Sequence, residues 1–234
     1  MPDPLFIFML TRNDATLSGA AETAREAIAA GARHIGFKDA GASHAQAQAL
    51  ATQLKAAGAV TYLEVVSLDE SSELESAELA LALGVDVLMG GVRPWAVGPR
   101  VKDAPVRYFP FVGRVVGHPS VLAGSPDEIA ASAREIASLP GVDGLDLLAY
   151  RSDHDGGALA REICTAVAKP VVVAGSIDRL ERITAVRLAG AHAFTVGTAA
   201  IEGAFSAAAP GLAGQLAAIQ GALRSVTPSP AASR

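Results

Sequence analysis

Apolar and polar positions along this chain fall into a repeating beat. Five segments carry it most clearly: AAGARHIGF, AAGAVTYLEV, LALGVDVLMG, LPGVDGLDLLAY and LAGAHAFTVG. Each is the end of a helical pattern, then a glycine, then a short run of buried-strand residues. The glycines are Gly31, Gly58, Gly84, Gly141 and Gly190, separated by 27, 26, 57 and 49 residues, or one, one, two and two units. Glycine suits this position because a helix commonly closes on a left-handed residue before the chain turns into a strand. Further boundaries lie near Pro105, before VRYFPFVG, and at Lys169-Pro170, before VVVAG.

The pattern predicts strands over 5–11, 33–38, 60–66, 85–90, 107–112, 143–149, 170–174 and 193–197, with helical patterns between most of them. Nearly continuous apolar strands alternating with amphipathic helices belong to a parallel sheet covered by helices. Eight such units in 234 residues fit a closed α/β barrel, the (β/α)8 TIM barrel, better than an open doubly wound sheet. The fourth unit is the weakest: GVRPWAVGPRVKDAP offers a loop or short turn where a helix is due, so a shortened fourth helical unit is expected.

Composition narrows the class. Half the residues are apolar and 18% are charged, enough apolar surface for one compact domain over 1–223. The small, polar, Pro-rich stretch RSVTPSPAASR over 224–234 reads as a flexible C-terminal tail. No apolar run reaches the roughly 18–20 residues of a membrane helix. The start, MPDPLFIFMLTRND, lacks a basic lead and a small-residue cleavage site, so a cytoplasmic protein is expected. The single cysteine, Cys164, rules out an internal disulfide and reads as a buried thiol on a helix. A net charge of −5 without a basic run argues against nucleic acid as a partner.

In such barrels chemistry gathers at the carboxyl ends of the strands. His34, Asp86, Asp143 and His192 stand at strand beginnings and read as stability residues. Thr11, Arg12, Lys38, Asp39, Glu64, Ser67, Arg114, His118, Tyr150, Arg151, His154, Ser176 and Thr198 fall on strand ends or upper loops. Strand alternation narrows this set. In IGFKD, Ile35 and Phe37 suit the helix layer, which turns Gly36 and Lys38 to the lumen. In TYLEVVS, Leu63 and Val65 suit the helices, so Tyr62 and Glu64 face inward. Lys38 and Glu64 thus meet on adjacent strands, either as a working pair or as a buried ion pair that fills space at a desolvation cost. Asp146, in GLDLLAYRS, adds a third inward carboxyl, with a structural hydrogen-bonding role as the alternative. Strands seven and eight each end on a glycine and a small hydroxyl residue, Gly175-Ser176 and Gly197-Thr198, with Asp178 as a helix starter and GTAAIEGAF as a source of a short extra helix. Backbone N–H groups at such ends suit a phosphate; the plainer alternative is a pair of tight turns.

Residues PVVVAGSIDRLERITAVRLAGAHAFTVGTAAI resemble the last quarter of the ribulose-phosphate-binding barrels. That superfamily includes the phosphoribosyl isomerase of histidine biosynthesis, N-acetylmannosamine-6-phosphate epimerase, and pentose-phosphate epimerases and decarboxylases. The likeness is specific over 143–205 and architectural elsewhere. It implies that Gly175, Ser176, Gly197 and Thr198 carry a substrate phosphate. IGFKD resembles the lysine strand of the mannosamine-phosphate epimerases, where the lysine moves a proton next to a carbonyl. The histidine-pathway isomerase carries aspartates at the ends of strands one and five, where this chain has FMLTRND and YFPFVGR, which argues against that activity. FKDAG is similar to the lysine strand of Schiff-base aldolases.

Three readings follow. The first is a metal-independent isomerase or epimerase of a small phosphorylated sugar, with Lys38 and Glu64 as acid and base and Asp146 or Arg151 orienting the substrate. The second is a lyase in which Lys38 forms an imine with a keto-sugar phosphate. The third is a noncatalytic phosphosugar-binding barrel. No cofactor is expected. His118 and His154, with Asp153 or Asp155, have no spacing suited to one metal site and read as solvated loop residues. Arg151 is placed to clamp a carboxylate or second phosphate. Trp95 suits either the barrel mouth or a subunit contact in a homo-oligomer.

Overall fold

The computed structural model describes residues 3–224. Eight parallel strands form one sheet: β1 (Leu5–Met9), β2 (His34–Lys38), β3 (Val60–Val65), β4 (Val87–Gly90), β5 (Arg107–Phe109), β6 (Leu145–Leu147), β7 (Val171–Val173) and β8 (Ala193–Val196). The order is β6-β7-β8-β1-β2-β3-β4-β5. A parallel bridge between Phe111 and Asp146 joins the two ends of that order and closes the barrel. The helices are α1 (Ala20–Ala29), α2 (His44–Ala56), α3 (Glu70–Leu83), α4 (Pro94–Val101), α5 (Pro126–Ser138), α6 (Gly156–Ala166), α7 (Leu180–Ala189), α8 (Thr198–Ile201) and α9 (Gly211–Arg224). Every strand lies within its expected window. Of the expected tail only Arg224, the last residue of α9, is described; the rest lies outside the described residues.

The local signals work as anticipated. All five repeat glycines adopt positive φ, with Gly84 and Gly190 as left-handed caps of α3 and α7. Capping boxes start α2 (Ser43 with Gln46) and α5 (Ser125 with Glu128). The fourth unit is shortened as expected, but α4 is a true helix of eight residues and not the loop or short turn anticipated there. Pro94 sits at its first position, where a missing N–H is harmless, and the interior Pro99 forfeits one bond of a short helix. Close packing also holds it: a Cβ on Gly98 would lie 2.7 Å from the Pro140 carbonyl oxygen.

Two apolar layers result. Ile35, Phe37, Leu63 and Val65 pack outward against the helices. Ile7, Met9, Tyr62, Val87, Met89, Phe109, Val172 and Ala193 fill the lower lumen. The strand-start residues bond to neighbours at that lower end. Asp86 accepts from the Thr61 N–H and hydroxyl (2.7 and 2.8 Å), Asp143 from the Tyr108 N–H (2.9 Å), and His34 Nδ1 contacts the Tyr62 hydroxyl at 2.8 Å. Cys164 is half-buried on α6, not fully buried as expected, and burial pushes its thiol up to about 11. Among the described residues no helix is long and apolar enough to cross a membrane.

Candidate active site

Two short antiparallel hairpins rise above the carboxyl ends of the strands. One, Thr11–Arg12 with Ala15–Thr16, follows β1; the other, Arg114–Val116 with Val121–Ala123, follows β5. The first turns on Asn13 and Asp14, both at positive φ (50° and 58°). This is the two-residue turn geometry in which Asn and Asp are tolerated, and it folds the Asp14 carboxylate back over the barrel.

Lys38 and Glu64 are direct register partners on β2 and β3, and alternation aims both at the lumen. Lys38 Nζ donates to Asp14 Oδ1 at 2.8 Å and lies 3.3 Å from Glu64 Oε2, with all three side chains at least 95% buried. Arg151 ends a 3₁₀ turn (Ala149–Arg151) after β6. Its Nη1 donates to Asp14 Oδ2 at 2.6 Å. Asp14 therefore joins two cations. Burial alone would raise its proton affinity, but the Arg151 hydrogen bond and the Lys38 and Arg151 charges prevail and hold it well below the ordinary carboxylate range.

Asp146, on β6, is completely buried, and neither carboxyl oxygen has a hydrogen-bond partner. Burial, reinforced by the Glu64 charge, pushes it well above the ordinary carboxylate range against the opposing Lys38 and Arg151 charges. The structural hydrogen bond allowed for it is absent from the described residues.

Lys38, Glu64, Asp14 and Arg151 share a cleft of about 710 Å³ with Gly175, Ser176, Gly197 and Thr198. Seven of the eight expected site residues thus line one cavity; Asp146 lies outside its wall. The glycines have a second use. A Cβ on Gly175 would sit 2.4 Å from Arg151 Nε, and one on Gly197 would sit 2.7 Å from Thr11 Oγ1, so both clear room for neighbouring side chains. Ser176 is itself at positive φ (54°), an uncommon conformation for a residue with a side chain. The short extra helix is present as α8, starting at Thr198. Asp178 is not the helix starter expected of it: α7 begins on Arg179 without a side-chain cap, and Asp178 pairs with Arg179 and Arg182, each at 3.1 Å.

Other upper-loop candidates have local duties. Asp39 accepts from the Val66 N–H and from the Ser67 and Ser76 hydroxyls, fixing the loop after β3. Arg12 pairs with Glu202 at 3.2 Å. His154 Nε2 contacts the Gly124 carbonyl at 2.8 Å, and the Tyr150 hydroxyl donates to the Arg182 carbonyl at 3.4 Å. His118 is exposed on the second hairpin. Trp95 is 64% exposed on α4 and is not part of the cleft wall. Among the described residues no three His, Cys, Asp or Glu side chains converge to hold a metal.

Sequence reasoning missed Asp14 and Ser120. The signal for Asp14 was the Asn-Asp pair just past the first strand, a hairpin-turn signature; Ser120 carried none.

No family model and no curated protein sequence matches the chain. Solved structures do. Phosphoribosylanthranilate isomerase from Thermotoga maritima, solved as monomers generated from a dimer, superposes with a TM-score of 0.62 at 13% identity, covering 93% of this chain and 99% of that one. N-acetylmannosamine-6-phosphate 2-epimerase from Clostridium perfringens gives 0.59 at 14%, covering 83% and 86%. FabK from Thermotoga maritima gives 0.57 at 16%, covering 85% of this chain; the chain spans 59% of that protein's length. At these identities the likeness establishes the (β/α)8 barrel they share with this chain.

Proposed function

We propose that the protein is an isomerase or epimerase of a small phosphorylated sugar that moves a proton beside a carbonyl without a metal ion. One observation carries the reading: a buried lysine–glutamate pair lines the same cleft as two glycine–hydroxyl turns at the ends of β7 and β8. Loops after the seventh and eighth strands, with a short extra helix, are a common phosphate seat in this fold, so the turns would hold the phosphate and direct the carbonyl end toward Lys38.

Glu64 then removes the proton from the carbon next to the carbonyl. The C–H electrons form the new C=C bond, and the carbonyl electrons move onto oxygen. Lys38 donates a hydrogen bond to that oxygen as its charge develops. Delivery of the Glu64 proton to the former carbonyl carbon, with Lys38 protonating the enolate oxygen and taking the proton of the neighbouring hydroxyl, gives isomerisation. Delivery of a Lys38 proton to the other face of the original carbon, with Glu64 then passing its proton back to Lys38, gives epimerisation. Asp14 fixes the lysine and Arg151. Arg151, which lines the cleft, orients the reacting end, while Asp146 stays behind the wall.

The lyase alternative requires Lys38 to form an imine. Attack requires the neutral amine, so Lys38 must first give up the proton that holds it between the buried Asp14 and Glu64 carboxylates, whereas donating a hydrogen bond to the enolate oxygen keeps both pairs. Mass spectrometry of phosphorylated aldoses and ketoses retained by the purified protein, followed by borohydride treatment, separates the readings. The expected result is a retained sugar phosphate and no reduced adduct on Lys38. An adduct there would transfer the assignment to the lyase, and retention of no phosphorylated compound would remove the phosphosugar reading.

A further inference from the structure

We propose that Ser120 is a further substrate-contacting residue, and that the hairpin carrying it is latched by Asp14 over the reacting end of the cleft. The inference rests on the phosphosugar reading of the cleft and adds the class of substrate it selects.

The two hairpins rise from β1 and β5, four places apart in a ring of eight strands and therefore on opposite walls. They meet at one residue. The Ser120 N–H donates to Asp14 Oδ2 at 2.8 Å, and Arg151 Nη1 donates to the Ser120 carbonyl at 3.3 Å. Both backbone groups of Ser120 are thereby held, and buried Val115 and Leu122 anchor the hairpin from below. Asp14 grips Lys38 with its other oxygen, so one carboxylate ties the cover to the cation beneath it.

The Ser120 side chain points to a ligand. It is 1% exposed, it belongs to the cleft wall, and its hydroxyl has no hydrogen-bond partner among the described residues. Buried hydroxyls are ordinarily bonded, and this one stands at the Lys38 end, where the backbone beside it is already engaged. An oxygen on the ligand complements it, because a hydroxyl can both donate and accept. With Lys38 on the carbonyl oxygen, the oxygen left for Ser120 is a hydroxyl on the adjoining carbon. The selected class is therefore an α-hydroxy aldehyde or ketone phosphate.

Ser120→Ala removes the hydroxyl and keeps the N–H and carbonyl that form the latch. Binding of inorganic phosphate, dihydroxyacetone phosphate and ribulose 5-phosphate to the full chain is measured by calorimetry. The expected result is that wild type binds inorganic phosphate and at least one ketose phosphate, and that the variant weakens the ketose phosphate about tenfold, the scale of one hydrogen bond, while inorganic phosphate is unchanged. Equal ketose phosphate affinity in the two proteins, or an equal loss for both ligands, overturns the contact and leaves the phosphate seat standing. Binding of none of the three by wild type overturns the phosphosugar reading and this inference with it. The latch has its own readout: in Asp14→Asn, amide hydrogen exchange across 116–121 should quicken at least tenfold in the free protein while β2 and β3 stay protected. Unchanged exchange in the hairpin overturns the latch.

Discussion

The two ends of the barrel lumen are built from the same eight strands and obey the same alternation, yet they handle polar groups in opposite ways. At the amino-terminal end polar groups are satisfied by a neighbouring strand, as Asp86 by Thr61 and Asp143 by the Tyr108 N–H. The lumen above them is apolar from Ile7 to Phe109. At the carboxyl end Asp14, Lys38, Glu64 and Arg151 reach across the barrel to one another, and the Asp146 carboxyl and Ser120 hydroxyl have no hydrogen-bond partner among the described residues. A fold seeking only stability would use an apolar core here as it does below, since burying charges repays its desolvation cost poorly. The difference is an energetic ground, beside fold convention, for the proposal that function lies at the upper end.

The contrast can be broken one residue at a time. Glu64→Gln keeps the volume and removes the base, so turnover of a sugar phosphate should fall by about 10²–10⁴-fold, measured as initial rates with binding retained. Asp14→Asn removes the carboxylate shared by Lys38 and Arg151, and should destabilise the fold by about 3 kcal/mol in denaturant titrations near neutral pH. Because Asp14 is held below the ordinary carboxylate range, wild type gains this advantage above that range and loses it as pH falls toward the depressed folded value. The gap between wild type and Asp14→Asn should therefore close in acid.

Gly197→Val places a side chain against Thr11 Oγ1 and the Met9 carbonyl; phosphorylated ligands should bind at least tenfold more weakly, about 1.4 kcal/mol by calorimetry. At the lower end Asp86→Asn should lower stability by about 1 kcal/mol and leave turnover unchanged; a loss of turnover there would erase the distinction between the ends. The last effect, read as a pH dependence, concerns Asp146. Its folded proton affinity is raised, so above the ordinary carboxylate range the unfolded chain sheds this proton while the folded one keeps it, and stability falls as pH rises. Asp146→Asn lacks that penalty, and its melting temperature should rise relative to wild type as pH is taken from about 4 upward.

The sequence reported faithfully what is periodic. Strand windows, helix-closing glycines and the inward direction of Lys38 and Glu64 depend on residues a few positions apart, and each stands as read. GVRPWAVGPRVKDAP misled because Pro94 stands at the first helical position, where proline is favourable, and because packing of Gly98 against Pro140 is not written in the segment itself. Asp14 and Ser120 escaped because their partners are distant: Asp14 bonds residues 24, 106 and 137 positions away. Loops without periodicity carry no local record of such contacts. Gly175 and Gly197 were read as glycines that let the backbone approach a ligand; that the space of a Cβ there is taken by Arg151 and Thr11 was not legible.

The central claim is that Lys38 and Glu64 transfer a proton beside a carbonyl. Its most direct test is deuterium wash-in: a retained ketose phosphate is incubated with the protein in D₂O, and the hydrogen next to the carbonyl is followed by NMR. Wild type should replace that hydrogen with deuterium, and both Glu64→Gln and Lys38→Met, each verified as folded, should abolish the replacement. A bound ketose phosphate that keeps its hydrogen in the presence of wild type, or exchanges it equally fast with Glu64→Gln, would contradict the account.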